Sequence, residues 1–414
     1  MNDLPEMIPN SILLFVHPPF YKVGDRVFFD TQAQNGLRLW AANFETVRVM
    51  APLIDTAPQD VPSDAGDLQP FLEAHQMVEP IMLPQRGTRR FLIEDLSAGK
   101  KVIRDQIKAS QFLVFAFSGY LGDWGTVACL TAARMGRPFA AFKDSVDHHI
   151  AQIEIEKEKR ALSQQLSRHF QRLMIKYRDR IVLRKSDLAL LHGRDTMDYY
   201  APFASNPHLV HDIHLSKDDQ IHPDALELRL AERDKTTLRI VYAGRVEEIK
   251  GPDQWVKALS EASREGAALT ARWYGNGTLL DKQKAQLAER YPEAPVSFEG
   301  YMPHDKMLKA MQQADVFAFT HLTNESPRCL IEALAAGLPI VGYDSAFARD
   351  LTGTSRAGLF VPRGDEAALK EAIKALASDP DRVEAMAWDA RKVASPLNDE
   401  DVFRHRSDII KEAL

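Results

Sequence analysis

The sequence is short of three features that mark specialised classes of protein. It has two cysteines in 414 residues, Cys129 and Cys329, far apart and each set in apolar sequence. Two such thiols exclude a disulfide framework and a cysteine-built metal cluster, and they suit a reducing compartment. Long apolar runs are also missing. The longest, near "FLVFAF" at 112–117, falls far below the about 20 residues of a membrane-spanning helix. Before residue 30 no basic start leads into a long apolar core and a small-residue cleavage site, so the expected location is cytoplasmic. Positive charge is not in excess: 52 Lys and Arg against 58 Asp and Glu leave a net charge of −6, which offers nucleic acid no general footing. Neither an internal repeat nor a low-complexity tract stands out.

What is present is an ordinary globular balance, 45% hydrophobic and 27% charged, in a chain long enough for two domains. Short β-rich runs alternate with helical periodicity. "SILLFVH" (11–17), "TVRVMAP" (46–52), "FLVFAFSG" (112–119), "RPFAAFK" (137–143) and "DLALLHG" (187–193) read as strands of a first half. "LRIVYAG" (238–244), "LTARWYG" (269–275), "PVSFEGY" (295–301), "DVFAFTH" (315–321) and "LPIVGY" (338–343) read as strands of a second. Strands that are apolar throughout and alternate with helices imply parallel sheets covered on both faces. The predicted class is α/β, two Rossmann-like domains facing a cleft, with chemistry in the loops that follow strands. The linker holds His208, His211, His214 and His222. In extended chain His211 and His214 point to opposite faces, so no metal site is expected there.

Three strand-end loops of the second half carry the polar signals. "YAGRVEEIKGPDQW" (242–255) holds Gly244, Arg245, Lys250 and Gly251 ahead of Pro252, a residue favoured in the first helical turn. A guanidinium grips phosphate oxygens bidentately and an ammonium supplies a point charge, so the two cations suit a diphosphate. "RWYGNGTLLDKQ" (272–283) offers Gly275, Asn276 and Gly277, where missing side chains let a ligand approach the backbone. "VSFEGYMPHDKM" (296–307) places Tyr301 just past a strand. The richest stretch is "FTHLTNESPRCLIEALAAGLPIVGY" (319–343): a strand, the loop "LTNES", then a helix with Pro327 in its first turn. Glu325 falls in the loop and Glu332 on the helix. An Arg328–Glu332 pair at i,i+4 has the weaker orientation, worth only about 0.2–0.5 kcal/mol. A phosphate at the helix amino end, with carboxylates accepting sugar hydroxyls, accounts for the acids better.

These motifs, in this order, resemble the donor-binding domain of GT-B glycosyltransferases, specifically the retaining family 4 group. The resemblance runs over about residues 238–380. It rests on Gly244-Arg245 to Lys250-Gly251, Gly275 to Gly277, Gly300-Tyr301, Glu332-Ala333 through Gly337, Pro339 and Val341, and "AGLFVPRGDEAALKEAI" at 357–373. It implies a metal-independent hexosyltransferase with no bound cofactor. The donor would be a UDP- or GDP-sugar and the acceptor a lipid, glycan or small molecule, as in glycolipid or polysaccharide biosynthesis. The family motif is E-x7-E, whereas six residues separate Glu325 from Glu332. The first acid, which meets the donor sugar, is therefore Glu325 or, with strict spacing, Asn324. Glu332 takes the ribose. Arg245 and Lys250 join Glu325 as catalytic candidates, and Ser326, Pro327, Arg328, Cys329 and Leu330 complete the donor set. Two alternatives stay open: a non-catalytic nucleotide-sugar-binding subunit, and a nucleotide-sugar epimerase of the same fold.

The implied domains are 1–215 for the acceptor and 216–394 for the donor, with a helix at about 395–414 packing back on the first. The first half matches the family less. "HPPFYKVGDRVFFD" has Gly24 where the family often has a Gly-Gly loop, and "FSGYLGDWGTVACL" offers Gly119, Gly122 and Gly125 with Asp123 as a helix cap. Asp147 and His148, in "FKDSVDHHIAQ", are the candidate acceptor bases. Residues 157–185 hold ten Lys or Arg against Glu158 and Asp179. Leu162, Leu166, Phe170, Leu173, Met174 and Tyr177 make one apolar stripe there. The expected fate of this stripe is packing on the first sheet, the alternative a peripheral seat on an anionic membrane.

Overall fold

The computed structural model describes residues 7–56, 68–71, 77–84, 96–118, 123–157, 162–213 and 215–414. The chain divides into two compact units, residues 1–214 with 400–414, and residues 215–399. Both are built on largely parallel sheets, as apolar strands between helices require.

In the first unit the strands are β1 (Ile8–Phe15), β2 (Phe20–Val23), β3 (Arg26–Asp30), β4 (Thr46–Asp55), β5 (Leu68–Pro70), β6 (Val78–Leu83), β7 (Ser110–Ala116), β8 (Ala140–Lys143), β9 (Leu188–His192) and β10 (Pro207–Val210). Their order is β10-β9-β8-β7-β1-β4-β2-β3-β5, with β6 on β4. Alternate residues sort to opposite faces. Leu13, Phe15, Leu113 and Phe115 pack with Trp124 and Ala128 of the helix Trp124–Arg134. Ile12, Leu14, Phe112 and Val114 pack with Leu37 and Trp40, and with Phe403, Ile409 and Ile410 of the helix Asp399–Ala413. The chain rejoins this unit at residue 400 rather than at about 395. The helix Pro380–Ala394 still belongs to the second unit, where Ala387 packs on Ile221, Leu226 and Leu230.

The short strands β2, β3, β5, β6 and β10 escaped the sequence reading because they are brief, polar or proline-bearing. "FYKVGDRVF", which has a single glycine where the resembled family often has two, is an antiparallel hairpin with Gly24 at φ +62° in its turn. Asp123 caps the helix Trp124–Arg134 as its spacing suggested, accepting from the amides of Gly125 and Thr126. Gly119 and Gly122 lie outside the described residues.

The second unit carries β11 (Leu238–Ala243), β12 (Leu269–Tyr274), β13 (Val296–Gly300), β14 (Val316–Phe319), β15 (Ile340–Tyr343) and β16 (Gly358–Val361). The order is β13-β12-β11-β14-β15-β16, parallel throughout. Strand order reverses between β11 and β14, the position where open α/β sheets bind ligands beyond their carboxyl ends. At the opposite end, Asp315, 2% exposed, binds the backbone and guanidinium of Arg239 and holds β14 beside β11. The contact adjoins the first register pair of the two strands, Ile240 with Val316.

Candidate functional site

The loops that leave β11 and β14 are stitched together at this reversal. Thr320 Oγ1 donates to the carbonyls of Lys250 and Gly251, at 3.0 and 2.7 Å, and Leu322 N–H donates to Ile249 O at 2.9 Å. Gly251, at φ +66°, leads into the helix Pro252–Arg264 with Pro252 first, and a Cβ there would meet Thr320 O at 2.2 Å. The stitching brings two residues 75 positions apart into contact: Lys250 Nζ donates to Glu325 Oε2 at 2.8 Å. Both are largely buried, with 11% and 14% of their side chains exposed.

Glu325 is held by one oxygen. Its Oε1 is buried without a hydrogen-bond partner, and His321 Nδ1 stands 3.6 Å away, beyond hydrogen-bond length. Behind His321, the Tyr242 hydroxyl lies 2.7 Å from Nε2. Burial, with Lys250 and Arg363 nearby, pushes the His321 pKa well below the imidazole range, so the ring is neutral. Asn324, the residue at strict family spacing, turns instead to Arg363, whose Nη1 donates to its Oδ1 at 2.5 Å. The acid, and not the amide, thus lies beside Lys250.

Glu332 lies on the helix Arg328–Ala335, and His304 Nε2 approaches its Oε1 at 3.2 Å. The hydrogen bond to Glu332 raises the His304 pKa above its ordinary value. Local sequence pairs Glu332 with Arg328; the fold supplies a histidine 28 residues upstream. Pro327 is the residue before the first helical turn, and as a proline it offers that amino end no capping side chain of its own. Leu330 is fully buried and its N–H donates to Pro327 O at 3.1 Å, so its place in the donor set gives way to a place in the core. The Cys329 thiol lies near the Tyr242 phenol, and burial pushes its pKa up to about 12. Ser326 is buried beside Pro327, whereas Arg245 and Tyr301 are exposed.

The glycines do a different task from the one their spacing suggested. A Cβ on Gly275 would meet Gly244 O at 2.1 Å, and one on Gly277 would meet Val246 O at 2.3 Å. The close approach they permit is between the loops themselves. Gly244 N–H donates to Tyr274 O, Gly275 N–H to Gly300 O and Val246 N–H to Asn276 O. Three strand-end loops form one layer, with Arg245 on it.

In the first unit, Asp147 begins the helix Asp147–Lys157. It is bound by Lys143 Nζ at 2.5 Å and Ser145 Oγ at 2.7 Å, with Arg178 at 3.5 Å. Despite burial, these cations hold its pKa below the usual carboxylate range, which weakens it as a base. His148 is 2% exposed, stacked by His149 and Tyr199. Burial first, then His149, Lys176 and Arg172, lower its pKa to about 3. Both residues follow β8 as expected, yet neither presents a ready proton acceptor. Sequence reading passed over His17, at the carboxyl end of β1, whose Nε2 lies 3.0 Å from Ser118 Oγ and 3.6 Å from Asp123 Oδ1. Its only sequence signal was a histidine directly after a strand.

The apolar stripe of the helix Leu162–Lys185 does not pack on the sheet. Leu166, Phe170, Leu173, Met174, Tyr177 and Ile181 are 41–69% exposed. The helix buries its other side through Ile175, Asp179, Val182 and Leu183. At 100° per residue the two sets are nearly opposite, so periodicity marked two faces and named the wrong one as buried. The side chain of Leu162 lies outside the described residues. Of the linker histidines, His208 binds Asn206, His222 caps the helix Pro223–Glu232, and His214 is outside the described residues. Among the described residues no group of three or more His, Cys, Asp or Glu is placed to hold a metal ion.

Residues 228–393 match the glycosyl transferases group 1 family. The amylovoran biosynthesis glycosyltransferase AmsK of Erwinia amylovora is 26% identical over 198 residues, 46% of this chain and 49% of that protein. The 2-deoxystreptamine N-acetyl-D-glucosaminyltransferase of Streptomyces fradiae is 28% identical over 181 residues, 42% of this chain and 40% of that protein. The chain thus matches half or less of the length of these relatives. Likeness of fold extends further. The Anabaena HepE protein in complex with UDP superposes with a TM-score of 0.67 at 14% identity, over 98% of this chain and 100% of that one. WaaG, a glycosyltransferase involved in lipopolysaccharide biosynthesis, superposes with a TM-score of 0.63 at 14% identity, over 96% and 99%. Two Rossmann-like parallel sheets give the chain the GT-B fold of these neighbours, and residues 228–393 of its second unit match the glycosyl transferases group 1 family.

Proposed function

We propose that the chain is a retaining, metal-independent glycosyltransferase of the family 4 type. It moves a sugar from a nucleoside diphosphate sugar to a lipid, glycan or small-molecule acceptor. The observation that carries this reading is the Lys250–Glu325 pair at the strand reversal, a cation and a half-satisfied carboxylate on one spot. Departure of the diphosphate would be stabilised by Lys250, Arg245 and the amino end of the helix Arg328–Ala335, charge placed where the leaving group develops it. Glu325 would accept hydroxyls of the donor sugar and Glu332 those of the ribose. Structures of the Anabaena neighbour with UDP, with UDP and glucose, and with UDP-glucose favour a uridine donor.

The test is a thermal-shift panel of UDP, GDP, ADP, CMP and their sugars. A ligand at a hundred times its dissociation constant stabilises the folded state by about 2.7 kcal/mol. One diphosphate and its sugar are expected to raise the melting temperature, and nucleotide release from that sugar to continue in excess EDTA. Absence of any shift overturns the donor assignment, and loss of release in EDTA overturns metal independence.

A peripheral membrane seat on the inner face is the second element of the proposal, and it rests on the exposed stripe. Arg168, Arg172, Lys176, Arg180 and Arg184 follow one another at four-residue spacing and so form one basic ridge along the same helix. Arg180 and Arg184 stand over Phe203 at 4.3 and 5.9 Å. Basic flanks around an apolar face suit an anionic bilayer surface. No described helix is long and apolar enough to cross a membrane. Sedimentation with phosphatidylglycerol vesicles is expected at low salt, reduced at high salt and abolished by the triple substitution Phe170→Ser, Leu173→Ser, Tyr177→Ser. Equal sedimentation of that variant would remove the helix from the membrane.

A further inference from the structure

The buried side chains behind Glu325 form an ordered line that the donor reading leaves unused. Tyr242 is fully buried and His321 is 5% exposed. Tyr242 stays protonated, since burial, with Cys329 and Glu325 nearby, raises its pKa well above the phenol range. A neutral imidazole has one donor and one acceptor nitrogen. With the phenol 2.7 Å from Nε2, the arrangement that satisfies both rings has Tyr242 O–H donating to Nε2. The ring proton then sits on Nδ1, the nitrogen that faces Glu325 Oε1 at 3.6 Å. Glu325 therefore has two partners of unequal reach: Lys250, already bonded to Oε2, and His321, standing just short of the unpartnered Oε1.

We infer that His321 is a positioning residue for Glu325, the Nδ1–H donor that takes hold of its carboxylate when Lys250 turns to the diphosphate of the bound donor. This rests on the donor-site reading above and adds a residue to it. Lys250 cannot give its full charge to a phosphate and to Glu325 at once. Without a second holder, Glu325 would be left partly buried and unpaired, a costly state. His321 supplies that holder at no cost in net charge. Burial first, and then the cations Lys250 and Arg363, keep the ring from protonating and so from trapping Glu325 permanently. Phe319 packs against the ring and fixes its plane.

The test separates atoms of the ring by two isosteres. Asparagine places an amide near the position of Nδ1, glutamine near that of Nε2. His321→Asn is expected to keep most of the activity, while His321→Gln and His321→Ala lose about tenfold or more in turnover of the donor sugar, the worth of one hydrogen bond to a charged group. Binding of bare UDP or GDP, followed by thermal shift, should stay within about twofold of the parent in all three. Tyr242→Phe should release the tautomer and reproduce part of the glutamine defect. In the full chain, nitrogen-15 NMR should show the His321 proton on Nδ1. A proton on Nε2, equal rates in asparagine and glutamine variants, or parental rates in His321→Ala would each overturn the inference. Should the parent bind no nucleoside diphosphate, the donor reading fails by itself; the NMR tautomer still decides whether the line is ordered as described.

Discussion

Lys250→Ala is expected to weaken nucleoside diphosphate binding by about ten- to a hundredfold, the loss of one hydrogen bond to a charged group at about 1.5–3 kcal/mol. Its second effect comes from Glu325. Lys250 is the 2.8 Å partner of a carboxylate with 14% of its side chain exposed, and its removal leaves that charge to the neutral donor His321, 3.6 Å away. Exchange of an ammonium for a neutral, longer-reach donor costs about 1 kcal/mol, seen as a lower melting temperature of the ligand-free protein. The two effects separate in the double variant. Lys250→Ala with Glu325→Gln removes that charge, so stability should recover while nucleotide affinity does not. Arg245→Ala should weaken binding without touching stability, because Arg245 stands exposed on its loop. Isothermal titration and thermal melts of the four proteins check this. Parental nucleotide affinity in Lys250→Ala would remove the diphosphate from this loop.

Glu332→Gln is expected to cost tenfold or more in affinity for the donor and for the bare diphosphate alike, about 1.4 kcal/mol per decade, because both carry the ribose. Glu325→Gln should behave differently: little change for the bare diphosphate and a large fall in turnover of the intact donor. Asn324→Ala is the control for the one-residue shift in spacing, and its carbonyl oxygen is held by Arg363. If Asn324→Ala abolishes turnover while Glu325→Gln does not, the sugar contact moves back by one residue. Glu332→Gln also has a signature in pH. His304 has a raised pKa through its hydrogen bond to Glu332. The stability this pair contributes is complete below the ordinary histidine value of about 6.5 and is lost as pH rises through the raised folded value. Melting temperatures of the ligand-free protein should therefore fall across that window in the parent and fall less in Glu332→Gln. An unchanged slope would show that His304 does not report on Glu332.

The sequence by itself determined the layout of both sheets' central strands, because an apolar run between turn residues needs no distant partner to be recognised. It also determined which loops of the second unit carry polar groups, and the shortened interval between Glu325 and Glu332 is plain in the letters. Tertiary structure alone decided what those groups touch. Lys250 meets Glu325 across 75 residues, Tyr242 meets His321 across 79, and His304 meets Glu332 across 28. No local period encodes such contacts; they arise from strand order at the β11–β14 reversal. Gly275 and Gly277 looked like room for a ligand and proved to be room for a neighbouring loop, since a missing Cβ does not say what fills its space. The helix Leu162–Lys185 makes the same point with faces. Its periodicity marked an apolar stripe, but only the packed structure showed that Ile175, Val182 and Leu183 meet the protein while Phe170 and Tyr177 meet the solvent. Amphipathic spacing orders side chains around an axis; the sheet beneath decides which side of that axis is buried.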